Sequence, residues 1–254
     1  PAGRGQRLQE SSVKKYALSQ QIPVLQPISL RDEGFLAQLK AFQADVQVVV
    51  AFRMLPKVVW QMPRKGTFNL HASLLPDYRG AAPINWAIIG GEATTGVTTF
   101  LIDEQIDTGA ILLRKEVAIA PRETAGTLHD KLMTVGADLV VETLALIASD
   151  KAVPQSQPKQ VVEKPASKIH KETSHIPWEQ SLAQIDRFVR GMSPYPTAWA
   201  QLHHEGETYA VKIYEATPQE ATHNLPIGRV LLEDKQIKVA VQGGFLKIES
   251  LQFP

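Results

Sequence analysis

The chain has 254 residues, of which 44% are apolar and 21% charged, the balance of a soluble globular protein with room for two ordinary domains. It contains no cysteine, which excludes disulfides, thiolate metal sites and cysteine nucleophiles and leads us to expect the reducing cytoplasm. The net charge is only +1, so any contact with RNA has to come from local basic patches, and no apolar run approaches the roughly 18 residues of a membrane span.

In chain order, residues 1–8 (PAGRGQRL) read as a Gly-rich basic loop. Residues 12–20 are expected to be helical and residues 22–25 a short strand. Residues 32–42 have helical apolar spacing through Phe35, Leu36, Leu39 and Phe42. Residues 46–52 (VQVVVAF) are a β-branched run that suits a strand buried on both faces. Residues 66–71 and 95–102 also read as strands, with a helix over 84–89 behind Pro83. A strand over 110–119 and a long helix over 124–148 follow. This alternation indicates an α/β sheet.

The pattern changes after Asp150. Residues 151–168, with Pro154, Pro158 and Pro165, show no periodicity and read as a linker between a first domain, 1–150, and a second, 169–254. A helix is expected over 178–189. Period-two runs follow at 199–202, 209–214, 228–232, 237–241 and 245–251, with a hairpin turn at Gly243-Gly244. Such strands with a single helix indicate a small β-barrel, for which an OB-type barrel is one option.

The chemistry concentrates at residues 68–80, FNLHASLLPDYRG. Asn69 and His71 lie two apart on an expected strand, so both side chains face one way. Asn offers a donor for a developing oxyanion and His a proton carrier near neutrality. The strand runs out at Ser73-Leu74-Leu75-Pro76, which places the pair near its carboxyl end, where open α/β sheets bind ligands. Residues 101–109, LIDEQIDTG, add an acidic loop with Asp103, Glu104 and Asp107. A carboxylate there can orient an imidazole. An isolated N-x-H is weak evidence, and a lone Asp107 would read as a turn residue. No metal-ligand spacing or phosphate-binding glycine motif competes.

Taken together, NLHASLLPDYRGAAPINWAI, GEATTGVT and DTG resemble the signature of the folate-dependent formyltransferases. The resemblance places the family's catalytic Asn, His and Asp on Asn69, His71 and Asp107. It implies a Rossmann-like domain followed by an OB-like C-terminal domain. It also implies a folate site lined by Ser73, Leu74, Leu75 and Pro76, by Phe52, Arg53, Met54 and Leu55, and by Asp103 and Glu104. The PAGRG loop and Ser12-Val13-Lys14 resemble the acceptor-stem loop of the branch that acts on methionyl-tRNA, with Arg4, Arg7 and Lys14 as tRNA contacts. Ile176-Pro177-Trp178 and residues 190–196 (RGMSPYP) resemble the start of that branch's RNA-binding domain.

The resemblance implies transfer of the formyl group of 10-formyltetrahydrofolate, as co-substrate, to the α-amino group of initiator methionyl-tRNA. Asn69 and protonated His71 would donate to the formyl oxygen, and Asp107 would hold His71 and help move the amine's proton. No metal, permanent cofactor or membrane is implied, and a monomer is expected for the complete protein. The sequence starts at Pro1, and relatives have an opening strand–helix–strand unit and a last C-terminal segment; we therefore expect a fragment of a longer protein. Two alternatives are a formyltransferase acting on an amino-sugar nucleotide and a non-catalytic RNA-binding module. His203-His204 on a strand face opposite ways and read as a surface pair, and Lys164, Lys168 and Lys171 read as linker cations.

Overall fold

The computed structural model describes residues 10–50, 54–158, 164–233 and 235–254. The expected loop at 1–8, with Arg4 and Arg7, and the positions of Phe52 and Arg53 lie outside the described residues. Contacts divide the chain into two units, Pro1–Gln47 with Phe52–Gly66, and Val48–Ala51 with Thr67–Pro254.

Among the described residues the first unit holds three helices. In α1 (Ser12–Ser19) the Ser11 side chain caps the N-terminus by accepting from the Lys14 backbone N–H. In α2 (Glu33–Ala41) Asp32 does the same for Phe35 at 2.7 Å, and Glu33 and Lys40 match the helix dipole at its two ends. The short α3 (Lys57–Trp60) behind Pro56 had no signal in the sequence. The strand expected at 22–25 is not formed: these residues are irregular and Ile22 is 51% exposed. Pro23 carries no N–H, so the run cannot donate a complete ladder.

In the second unit, β1 (Gln47–Val50), whose first residue belongs to the other unit, β2 (Thr67–His71), β3 (Thr94–Leu101) and β4 (Ile111–Ala118) form a sheet in that order. Strand β3 runs antiparallel to both β2 and β4. Helix α4 (Pro83–Gly90) starts with Pro at its first position and ends on the left-handed Gly91, a sound start and stop for a helix. Helix α5 (Ala125–Ala148) packs Leu128, Leu132 and Leu139 against Val97, Val117 and Ile88. Strand β1 departs from expectation. Only Val49 is buried, while Val48 and Val50 on the opposite face are 38% and 57% exposed. Among the described residues it is the terminal strand of the sheet, and its successive side chains point to opposite faces.

The C-terminal part has a 3-10 turn (Glu172–Ser174), helix α6 (Leu182–Met192) and one antiparallel sheet. Its strands are β5 (Ala198–His204), β6 (Glu207–Glu220), β7 (Val230–Glu233), β8 (Gln236–Val241) and β9 (Gly244–Gln252), ordered β5-β6-β9-β8-β7. The five expected strands are all present. Helix α6 starts later than expected, because Gln184 reaches back to the Ser181 N–H at 3.1 Å and fixes the first turn there. The apolar face of α6, with Leu182, Ile185, Phe188, Val189 and Met192, packs on Ala198, Ile213, Val239, Val241 and Leu246. The β8–β9 turn uses Gln242 and Gly243, the latter at φ +92°, and Gly244 already pairs with Val241 in the ladder. No helix among the described residues is long and apolar enough to cross a membrane.

Candidate active site

Asn69 and His71 stand on one face of β2, opposite Phe100 and Thr98 of β3. Both are buried, at 4% and 7% exposure. Such burial demands partners. Asn69 Nδ2 donates to the Val49 carbonyl at 2.9 Å. An amide nitrogen carries two hydrogens, so Val49 fixes the side chain and leaves it a second donor.

His71 Nε2 lies 2.9 Å from the Tyr78 carbonyl. A carbonyl only accepts, so Nε2 carries the hydrogen and Nδ1 is the nitrogen that gains or loses a proton. Nδ1 faces Asp107 Oδ2 at 3.9 Å. That is too long for a direct hydrogen bond, so the carboxylate faces the ring nitrogen without bonding to it. The ring meets Phe100 edge-on at 6.4 Å.

Two loops bring these atoms together, and both are pinned. Residues 72–82 leave β2. Ser73 donates from its hydroxyl to the Asp77 carbonyl at 2.7 Å, and Thr98 donates to the Ser73 carbonyl at 2.6 Å. Gly80 donates its N–H to Asp107 Oδ2 at 2.9 Å, which ties the acid to the loop that also holds His71. Asp107 sits at φ +56°, a left-handed conformation that Asp adopts more readily than most side chains. Asp103 shapes the same loop: its carboxylate accepts from the Gln105 N–H at 2.9 Å and the Thr108 hydroxyl at 2.8 Å.

The segment expected as a linker does more than connect. Lys164 and Ala166 accept from the N–H groups of Tyr78 and Ala81, each at 2.7 Å, and Ala166 donates to the Arg79 carbonyl at 2.8 Å. Ala166 is fully buried. Gly80, at φ +126°, has to be glycine, since a Cβ there would stand 2.4 Å from the Ala166 carbonyl oxygen. Gln157 donates from Nε2 to the carbonyls of Asp107 at 2.9 Å and Gly109 at 2.8 Å. Sequence reading missed Gln157, because a glutamine in a proline-rich stretch carries neither periodicity nor motif.

Tyr78, whose carbonyl holds His71, is itself anchored. Its hydroxyl donates to Glu92 Oε1 at 2.7 Å, and Lys164 Nζ donates to the same oxygen at 2.8 Å. Burial and the Glu92 hydrogen bond push the Tyr78 phenol well above its ordinary value. Burial alone would raise the Glu92 carboxyl, but the hydrogen bonds from Lys164 and Tyr78 outweigh it and hold it below the usual range.

The remaining expected residues are distributed as follows. Ser73 and Leu75 have no exposed surface, and Leu75 packs with Phe100 and Ile111, so both shape the loop from within. Leu74 and Pro76 are partly exposed, and Asp103 and Glu104 are exposed. In the first unit Met54 is 79% exposed and Leu55 partly buried, and Lys14 pairs with Glu10 at 2.8 Å. His203 and His204 are exposed on β5, and Lys164 is engaged with Glu92.

Residues 1–144 match the family described as formyl transferase, and residues 168–254 its C-terminal domain. The chain is 53% identical, over all of its length and 81% of the relative's, to the methionyl-tRNA formyltransferase of Flavobacterium johnsoniae. It is 54% identical to that of Parabacteroides distasonis, over 99% of this chain and 80% of that one. Among solved structures it resembles HypX from Aquifex aeolicus in complex with tetrahydrofolic acid, with a TM-score of 0.67 at 22% identity over 86% of this chain and 37% of HypX. It also resembles the Helicobacter canadensis N-formyltransferase in complex with folinic acid and dTDP-3-aminofucose, with a TM-score of 0.67 at 19% identity over 98% and 86% of the two chains. These likenesses identify the fold as a Rossmann-like domain followed by a curled antiparallel sheet. The chain belongs to the formyl transferase family, among the methionyl-tRNA formyltransferases.

Proposed function

We propose that this protein transfers the formyl group of 10-formyltetrahydrofolate to the α-amino group of methionyl initiator tRNA. The observation that carries the reading is the grouping of buried Asn69 and His71 with partly buried Asp107, with the two loops around it cross-linked through Gly80. The 53% identity to a methionyl-tRNA formyltransferase over the whole of this chain and 81% of the relative supports this acceptor. Arg4, Arg7 and Lys14 are the tRNA contacts in this reading, and the protein works as a cytoplasmic monomer. Leu74 and Pro76 offer surface to the folate, whereas Ser73 and Leu75 set the loop's shape. The catalytic domain covers residues 1–150 and the tRNA-binding domain 169–254.

The chemistry is an acyl transfer. The neutral amine attacks the formyl carbon, forming the new C–N bond and putting negative charge on the formyl oxygen. The free N–H of Asn69 donates to that oxygen. The bond from carbon to the folate nitrogen then breaks, and the proton lost by the amine ends on that nitrogen. His71 has Nε2 committed to Tyr78, so its part in proton transfer and charge stabilisation runs through Nδ1, on the Asp107 side. Asp107 stabilises the imidazolium and keeps the ring in register. The test is formyl transfer from 10-formyltetrahydrofolate to purified methionyl-tRNA, alongside a nucleotide-linked amino sugar. The reading predicts transfer to the tRNA alone; transfer to the sugar, or to neither, would overturn it.

A further inference from the structure

We propose that Gln157 is a positioning residue for catalysis, which sets Asp107 against His71 from outside the catalytic motifs. The proposal rests on the formyl-transfer reading above and adds a residue to it. Its amide orientation is fixed by chemistry. Arg79 Nη2 donates to Oε1 at 2.6 Å, and a guanidinium has no acceptor, so Oε1 must face it. Nε2 then faces the Asp107 and Gly109 carbonyls, which only accept, at 2.9 and 2.8 Å. One side chain thus uses both N–H donors and its oxygen at once. It holds the Asp107 and Gly109 carbonyls together and joins that loop to Arg79, the residue between the two backbone groups, Tyr78 O and Gly80 N, that hold His71 and Asp107.

The clamp answers a local need. Asp107 sits in the left-handed region at φ +56°, and its carboxylate is 3.9 Å from His71 Nδ1 with no direct hydrogen bond to fix it there. Gly109 supplies the fixed end: a Cβ there would stand far inside contact distance of the Leu101 carbonyl, so its backbone packs directly on β3. With Gln157 gone, the two carbonyls lose their donor, and Arg79, whose Nε is already buried without a hydrogen-bond partner among the described residues, loses its acceptor. The loop is then free to relax, and a displacement of about 1 Å in a catalytic group can cost on the order of 100-fold in rate.

The test is a double-mutant cycle on single-turnover formyl transfer, using wild type, Gln157→Ala, Asp107→Asn and the double variant. Asn is chosen at 107 because it tolerates the left-handed conformation. Gln157→Ala is expected to lower the rate by about 10- to 100-fold with little change in half-saturating tRNA. In the Asp107→Asn background it should cost almost nothing further. Gln157→Glu keeps the acceptor for Arg79 but removes both donors, so it should lose as much as Gln157→Ala. An equal loss in both backgrounds, full activity in Gln157→Glu, or a wild-type rate in Gln157→Ala would each overturn the proposal while leaving the function intact. No transfer by the wild type would overturn both.

Discussion

Strands β2 and β3 bury Thr67, Asn69, His71, Thr98 and Thr99, all polar, in the middle of the first sheet. The C-terminal sheet buries Ile185, Val189, Met192, Val241 and Leu246 under α6. Asp186 is buried there too, but it is charge-paired with Arg122 and Arg190. In the first region each buried polar atom needs a partner, so burial and pairing fix directions as well as positions. In the second, packing is non-directional and specifies shape. The difference teaches where to look for chemistry. The region that keeps polar groups dry and oriented is the one whose substitutions should act on rate, and the apolar region is the one whose substitutions should act on stability.

The sharpest contrast should come from Ile185→Ala. Ile185 is fully buried in the C-terminal core, so its truncation should cost about 2–5 kcal/mol of stability. Formyl transfer per folded molecule should hold steady. Denaturant unfolding together with active-site titration checks both halves, and a fall in the turnover of the folded fraction would break the contrast.

Gly80→Ala should mix the two effects. The new Cβ meets the Ala166 carbonyl oxygen at 2.4 Å and takes up a φ of +126°, a strain of about 1–3 kcal/mol. It also pushes the Gly80 N–H away from Asp107. Loss of both melting temperature and single-turnover rate is expected; a normal rate would mean that the Gly80–Asp107 contact is dispensable.

The smallest effect is a pH dependence. The folded-state carboxyl of Glu92 is depressed, so its contribution is present above the unfolded carboxyl's value of about 4.3 and is lost as pH falls through the lower folded value. Tyr78 runs the other way. Its phenol is raised, so its contribution is full below about 10 and is lost as pH rises further. In Glu92→Gln the acid-side part should disappear. Unfolding free energies from pH 3 to 7 should therefore converge with wild type at the acid end, and a constant difference across that range would rule out Glu92 as the source.

Much of this was legible in the sequence. Asn69 and His71 share a face because strand side chains alternate, and that alternation is written into residues 66–71. The acidic loop offered Asp103, Glu104 and Asp107 alike, and the family resemblance singled out Asp107, whose carboxylate lies 3.9 Å from His71 Nδ1. The apolar run at 22–25 misled, because Pro23 and the lack of a ladder outweigh β-propensity. Val48 and Val50 are exposed although their pattern suits a strand buried on both faces, since a local pattern does not tell what lies against either face. Gln157 was invisible. Its contacts lie 48 to 78 residues away in sequence, and only the folded chain brings them together.

The central claim is that Asn69 stabilises the charge that forms during formyl transfer. Its most direct test is the single-turnover rate of Asn69→Ala with saturating 10-formyltetrahydrofolate and methionyl-tRNA, measured beside folate affinity. Removal of an oxyanion donor typically costs about 10²–10³ in rate, and that loss is predicted here with folate binding nearly unchanged. A rate close to wild type would contradict the account and remove Asn69 from the mechanism.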